Sequence, residues 1–299
     1  MQMRVIRRMY RVVIVLALAA GAAGAAAIQA TAAVDVSLGT RTAIALAAAR
    51  PAPLVTDAQP KVRTKRGLAA PDLSVTMQVA DARRQASARA LLQLMVHRMG
   101  PDLKCTTLAC RAGLPVARDL GQTQQAQVRN YFCGPATVSE MLAQLGVKVG
   151  QYTAARELDT SVNGTDWSDG SGYPVPRVLN KNQRRNNYVA VALPWSPSSK
   201  QLSTYETDLV ADINVSGGVP LAGNAYEVAG GPHLVGNPVN QTIMHWIDIR
   251  GYQHYGAITD YEDSVHGASS IGWGLSVPAY SSMSSATLID ILGARGYDW

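Results

Sequence analysis

Cysteine, phenylalanine and long apolar runs are what this chain of 299 residues has least of. It contains three cysteines and a single phenylalanine. Three cysteines allow one disulfide and leave one thiol over. Cys105 and Cys110 lie close together in Cys-Thr-Thr-Leu-Ala-Cys and can pair in an oxidising compartment, so Cys133 is the odd one out. Beyond the first 33 residues no stretch is long and apolar enough to span a bilayer as a helix. Lysine is scarce beside abundant Ala, Val, Gly and Arg, a composition like that of a high-GC bacterial proteome. The second half of the chain has no internal repeat and no low-complexity tract.

Acidic residues are absent from the start of the chain. Arg4, Arg7, Arg8 and Arg11 precede an apolar run from Val12 to Ala27, and Ala25-Ala26-Ala27 or Ala30-Thr31-Ala32 suits cleavage. Residues 1–33 therefore read as a secretory signal peptide rather than an uncleaved anchor. The expectation is a secreted protein, extracellular or in the cell envelope, with no stable membrane insertion once the signal is removed. The formal charge of +6 is unevenly spread. Residues 34–120 hold 13 basic and 6 acidic side chains, whereas residues 121–299 hold 10 and 15. Positive charge is thus missing from the half that carries the motifs below, so no nucleic-acid partner is expected.

Residues 34–112 read as an accessory segment or pro-segment, partly disordered. Pro51-Ala52-Pro53 and the basic cluster Lys61, Arg63, Lys65 and Arg66 are linker-like. Val79 to Met99 follows as one amphipathic helix, with Leu91, Leu92, Met95, Val96 and Met99 as its apolar face and Arg83, Arg84, Arg89 and Arg98 beside them. Docking as a pro-segment on the acidic half, binding to the cell envelope, and a plain extension of the core all remain open for it. Residues 113–299 suffice for one domain with its own core.

Gln-Val-Arg-Asn-Tyr-Phe-Cys-Gly-Pro, residues 127–135, is the most informative stretch. Val138, Met141, Leu142 and Leu145 recur at helical spacing after it, and Gly146 supplies the stop. Pro135 fits the first turn of that helix. Cys133 then sits at a helix N-terminus, where unpaired N–H groups and the helix dipole favour a thiolate, the nucleophilic form of the side chain. The same N–H groups, together with the Gln127 amide, could hold an oxyanion. A buried structural cysteine is the competing interpretation.

Downstream, residues 161–172 are dense in Gly, Asn, Asp and Ser and read as a long loop of the kind that walls a binding site. Helices are expected near Pro176–Asn180 and Thr204–Ile213, and strands at Tyr188–Leu193 and from Gly218. His245 to Tyr252 alternates as a strand with His245, Ile247 and Ile249 on one face, and Ala257 to Asp263 reads as its antiparallel partner. His245 could serve as general base, with Asp263 orienting it. Asp260 competes with Asp263, a bulge deciding between them, and His266 competes with His245.

The ordered set Gln-x5-Cys-Gly-Pro, Gly-x-Pro, His-Trp leading to Gly-Tyr, and a closing Asp resembles the bacteriocin-processing, double-glycine-peptidase-like family of papain-fold cysteine peptidases, over roughly Leu114 to His266. The resemblance implies an α+β, papain-like fold in which the nucleophile helix packs on an antiparallel sheet, preceded here by the helical and irregular N-terminal segment. It implies Cys133 as nucleophile, Gln127 in the oxyanion hole, His245 as base and Asp263 as its orienting partner, with no metal or organic cofactor. Asp263 is followed by Ser264 where the family often has Pro. The double-glycine specificity belongs to members fused to export transporters and is not expected of a chain with a leader and no membrane domain. The expected activity is hydrolysis of peptide or isopeptide bonds in a peptide or protein substrate. A cell-wall endopeptidase or amidase of NlpC type is the first alternative, although such enzymes show Asp-Cys-Ser-Gly where this chain has Phe132-Cys133-Gly134-Pro135. A non-catalytic envelope binding protein on a peptidase-like fold is the second.

Overall fold

A central helix forms where the apolar spacing demands it. In the computed structural model α3, Cys133–Gln144, buries Val138, Met141 and Leu142 completely, and Gly146 ends it with φ +79°. Only a residue at ease in the left-handed region closes a helix this way. The helix is less amphipathic than its spacing suggests, because Thr137, Ser139 and Glu140 are buried as well. Two of these find local partners, the Ser139 hydroxyl donating to the Pro135 carbonyl at 2.8 Å and Glu140 Oε1 accepting from the Gln125 backbone N–H at 2.7 Å, whereas the Thr137 hydroxyl has none among the described residues.

Described are residues 75–99, 105–214 and 217–299, which belong to a unit spanning Pro51–Trp299; the unit Met1–Arg50 lies outside the described residues. The expected signal peptide and the linker up to residue 74 lie outside them too. In chain order the helices are α1 Val75–Met99, α2 Leu108–Arg111, α3, α4 Gln151–Glu157, α5 Pro174–Asn182, α6 Ser199–Asn214 and α7 Ser285–Ile291. The strands are β1 Arg118–Asp119, β2 Ala190–Ala192, β3 Leu221–Glu227, β4 Ile243–Gln253, β5 Ile258–Glu262, β6 Tyr280–Ser284 and β7 Gly296–Asp298. All strand pairs are antiparallel, in the order β2-β7-β3-β4-β5-β6, with β1 added to the far end of β4. No described helix is long and apolar enough to cross a membrane.

Two cores sandwich the sheet, as the period-two pattern requires. Ile247, Ile249, Leu221 and Tyr297 pack with α6 and α7 on one face, and Trp246, Ala222 and Ala190 pack with α3 and α5 on the other. This is an α+β architecture with helices on an antiparallel sheet, consistent with a papain-like peptidase fold. The chain terminus gave no sequence signal, yet β7 lies between β2 and β3, with Tyr297 and Trp299 fully buried.

α1 docks through Leu92, with Met95 and Val96 half-buried, as expected of its apolar face, but not through Leu91. Leu91 is 51% exposed, whereas Met77, Ala80, Ala88 and Leu92 face the core. Charged residues of α1 anchor it as well. Arg84 makes a two-pronged ion pair with buried Asp212, at 2.5 and 2.7 Å, and its guanidinium lies 4.4 Å from the Trp299 ring centroid. The Trp299 indole in turn donates to Asp81 at 3.0 Å. Burial lifts Asp212 to about 6, with Arg84 pulling the other way.

Candidate active site

Cys133 is the first residue of α3 and is 4% exposed. No side chain caps this helix end, so its leading N–H groups keep no intrahelical partner. Cys105 and Cys110 are joined in a disulfide, and Cys133 is the free thiol. The glycine that follows is required by a close approach: a Cβ on Gly134 would lie 2.6 Å from the Thr165 Cβ. That contact brings the loop expected at residues 161–172 over the helix start.

β4 brings His245 to the same place. Its Nε2 lies 2.9 Å from Asp263 Oδ1, with the two side chains 2% and 1% exposed. The other ring nitrogen, Nδ1, is left for the Cys133 thiol, which acts on the ring to raise its pKa. Burial opposes the imidazolium, but Asp263 and then Cys133 outweigh it and hold the His245 pKa well above the ordinary histidine value. Asp263 Oδ1 also accepts from the Val265 amide at 2.9 Å, which fixes the carboxylate.

The choice between the two aspartates is made by a bulge. The β4–β5 register shifts between Ile249 and Gly251, so Asp260 stands opposite Gly251. There it accepts from Gln253 at 2.9 Å and Ser282 at 2.5 Å, remote from the histidine. His266 is likewise committed elsewhere, its Nδ1 lying 2.7 Å from the Val277 carbonyl.

Gln127 is buried and does not line the cleft, where the oxyanion-hole expectation would have placed it. Its Nε2 donates to the Arg129 carbonyl at 2.7 Å, and its Oε1 accepts from the Ser264 hydroxyl at 3.2 Å. It is thereby tied to the residue next to Asp263, and a primary amide retains a second N–H.

A cleft of about 420 Å³ opens beside Cys133 and His245. Residues 163–167 form one wall, including Trp167, whose ring stacks on Trp246 at 5.8 Å. The Trp246 indole donates to the Thr165 carbonyl at 3.1 Å, pinning this loop to the strand that carries the histidine. Asn224, Met244 and Arg295 line the cleft too and carried no sequence motif. Asn224 could have been suspected as a polar residue inside an apolar strand; nothing in the sequence near Arg295 pointed to it.

Glu140, Asp248 and Glu262 form a second acidic group, with one carboxyl oxygen of each within 4.8 Å of the others. An all-oxygen set suits a hard cation. Protonation accounts for the arrangement equally well. Burial pushes Glu140 and Asp248 well above the usual carboxylate range and Glu262 upward, and their mutual repulsion adds to the shift of the first two.

A family model described as the Peptidase_C39 like family matches residues 120–273, just over half of the chain. The matched span contains Gln127, Cys133, His245 and Asp263. No curated protein matches the sequence.

Proposed function

The chain belongs to the Peptidase_C39 like family, a family of cysteine peptidases, and from that premise we propose that it hydrolyses peptide or isopeptide bonds through Cys133, His245 and Asp263. The observation that carries this reading is the buried His245–Asp263 pair at 2.9 Å, with the ring's remaining nitrogen turned to a thiol at a helix N-terminus. His245 takes the thiol proton, and the Cys133 sulfur attacks the substrate carbonyl carbon. The helix N–H groups hold the oxyanion. Collapse of the intermediate expels the amine, which takes its proton from His245. Water, deprotonated by the same ring, then attacks the thioester, and release of the acid restores the thiol. Asp263 holds the ring in its tautomer throughout.

Export is part of the proposal, supported by the basic and apolar start of the chain and by the Cys105–Cys110 disulfide, a bond that persists in oxidising compartments. Of the roles open to the helix expected at Val79–Met99, a plain extension of the core is favoured: α1 is anchored on Asp212 and Trp299, and no described residue of it lines the cleft. Nothing in the cleft argues for a double-glycine substrate.

The test is the rate of Cys133 alkylation by iodoacetamide against pH. An ordinary thiol titrates near about 8.5. Wild type should label rapidly down to about pH 6 and His245→Ala should not. A rate that climbs only above about pH 8 in both proteins would refute the pair.

A further inference from the structure

The segment that walls the cleft carries three aspartates, Asp159, Asp166 and Asp169, and folding treats them differently. Asp159 and Asp169 share one cation: Arg177 Nη2 lies 3.4 Å from an oxygen of the first and 3.2 Å from an oxygen of the second. Asp166 lines the cleft, is exposed, and has no hydrogen-bond or ion-pair partner among the described residues. The charged side chains that share the cleft are engaged elsewhere. His245 is matched to Asp263, and Arg295 meets the Ala294 carbonyl at 2.9 Å, the Met244 sulfur at 3.3 Å and the Tyr226 ring.

The unmatched carboxylate is held in place, because its chain neighbours on both sides are anchored. The Trp246 indole donates to the Thr165 carbonyl at 3.1 Å, and the Thr165 hydroxyl lies 2.7 Å from that of Thr160. Trp167 is buried against the rings of Trp246 and Tyr173. Backbone fixed in this way loses little further freedom when a ligand arrives, so less of the attraction is spent on ordering. Thr165 also bears on Gly134, the residue after Cys133, so closely that a Cβ there would lie 2.6 Å from the Thr165 Cβ. One chain step on either side of that contact puts the Cα atoms of Cys133 and Asp166 within about 13 Å, or about four residues of extended peptide at most. A substrate chain lying over the thiol therefore reaches Asp166 with a nearby side chain or with its end. Inside a cleft walled by Trp167 and Trp246 an ion pair is screened less than on an open surface.

We infer that Asp166 forms an anionic subsite, and that the substrate is a peptide carrying a cationic amine, on a basic side chain or at a free N-terminus, close to the bond that is cut. The position of that bond rests on Cys133 being the nucleophile; the charge preference of the cleft does not.

Binding to the full-length Cys133→Ala protein tests it without any turnover, read by the fluorescence of Trp167 and Trp246 in the cleft. The probes are alanine-based pentapeptide amides with Lys or N-acetyl-lysine at the central position, each made with a free and with an acetylated N-terminus. At least one charged form should bind about tenfold or more tightly than its neutral twin, and the form that does so separates side chain from terminus. The gap should fall below about twofold with Asp166→Asn and persist in part with Asp166→Glu. It should be kept in Asp159→Asn, which removes the same charge from a residue that does not line the cleft. Equal binding of charged and neutral twins, no binding by any peptide, a gap that survives Asp166→Asn, or one that falls as far with Asp159→Asn would overturn the subsite. Circular dichroism of each variant excludes unfolding as the cause, and Asp166→Glu supplies the comparison should Asp166→Asn not fold. Wild-type hydrolysis of the same peptides is followed in parallel. Selective binding with no hydrolysis would count against Cys133 as nucleophile and leave the subsite standing, and hydrolysis indifferent to charge would do the reverse.

Discussion

His245 and Asp248 are three residues apart on β4, and their surroundings differ in one respect that decides their chemistry. Both are buried, and both face carboxylates: His245 meets Asp263, with Glu227 and Glu140 also acting on it, and Asp248 meets Glu140 and Glu262. Around His245 a basic ring is matched to an acid, so its charge is stabilised despite desolvation. Around Asp248 three acids converge, with Arg250 Nε no nearer than 3.8 Å to Glu262. Glu140 Oε2 and Asp248 Oδ1 find no partner there. Charge is favoured in the first region and suppressed in the second. Asp212 is the intermediate case: burial raises it, and Arg84 restrains the rise. A low dielectric does not by itself expel charge; it magnifies whether the charge is matched.

Removing the thiol or the matched base should have the largest effect. Cys133→Ala and His245→Ala should each lose at least about 10³-fold in kcat/KM, because such groups act as a unit. Residual turnover in Cys133→Ala within tenfold of wild type would break the contrast, and a peptide hydrolysis assay decides it. Next comes Arg84→Ala, which strands Asp212 as a buried unmatched acid. A loss of about 3–5 kcal/mol is expected, read as a lower thermal midpoint. An unchanged midpoint would mean that α1 does not contribute to the stability of the fold.

The same carboxylate-to-amide change should have opposite signs in the two regions. Asp263→Asn should cost about 10²–10⁴-fold in kcat/KM and bring the His245 pKa down, seen as an alkaline limb of activity moved to lower pH. The sign follows from the raised native pKa: the stabilised imidazolium is complete below the unfolded value, about 6.5, and is lost as pH rises through the native one.

Glu140→Gln should instead stabilise. The native Glu140 pKa lies above its unfolded value, so the contribution of the protonated form is complete in acid and declines as pH rises through the native pKa. Glutamine, which cannot ionise, escapes that decline. Denaturant unfolding at pH 4 and pH 8 should show the variant gaining about 1 kcal/mol or more at pH 8 only. A loss at both values would mean that the cluster is held by something other than shared protons.

Legibility followed the range of the interactions. α3, its stop at Gly146, the β4–β5 pair and the loop after Ser161 were readable because helical spacing, strand alternation and turn chemistry are local. The docking face of α1 was misread at Leu91, since the deciding partners, Asp212 and Trp299, are more than 100 residues away. The tail was illegible for the same reason: nothing in Gly296-Tyr297-Asp298 announces a strand between β2 and β3.

Sequence alone was enough for a thiol at a helix start, an odd cysteine, and a histidine on a strand followed by candidate acids, because each is a matter of residue type and short spacing. Only the tertiary structure could choose Asp263 over Asp260, since the register of β5 against β4 turns on one bulge. It alone also carried Arg295 into the cleft and gathered Glu140, Asp248 and Glu262 out of reach of water. A side chain's charge depends on the partners and solvent that folding places around it, and none of these is written in its own neighbourhood of the chain.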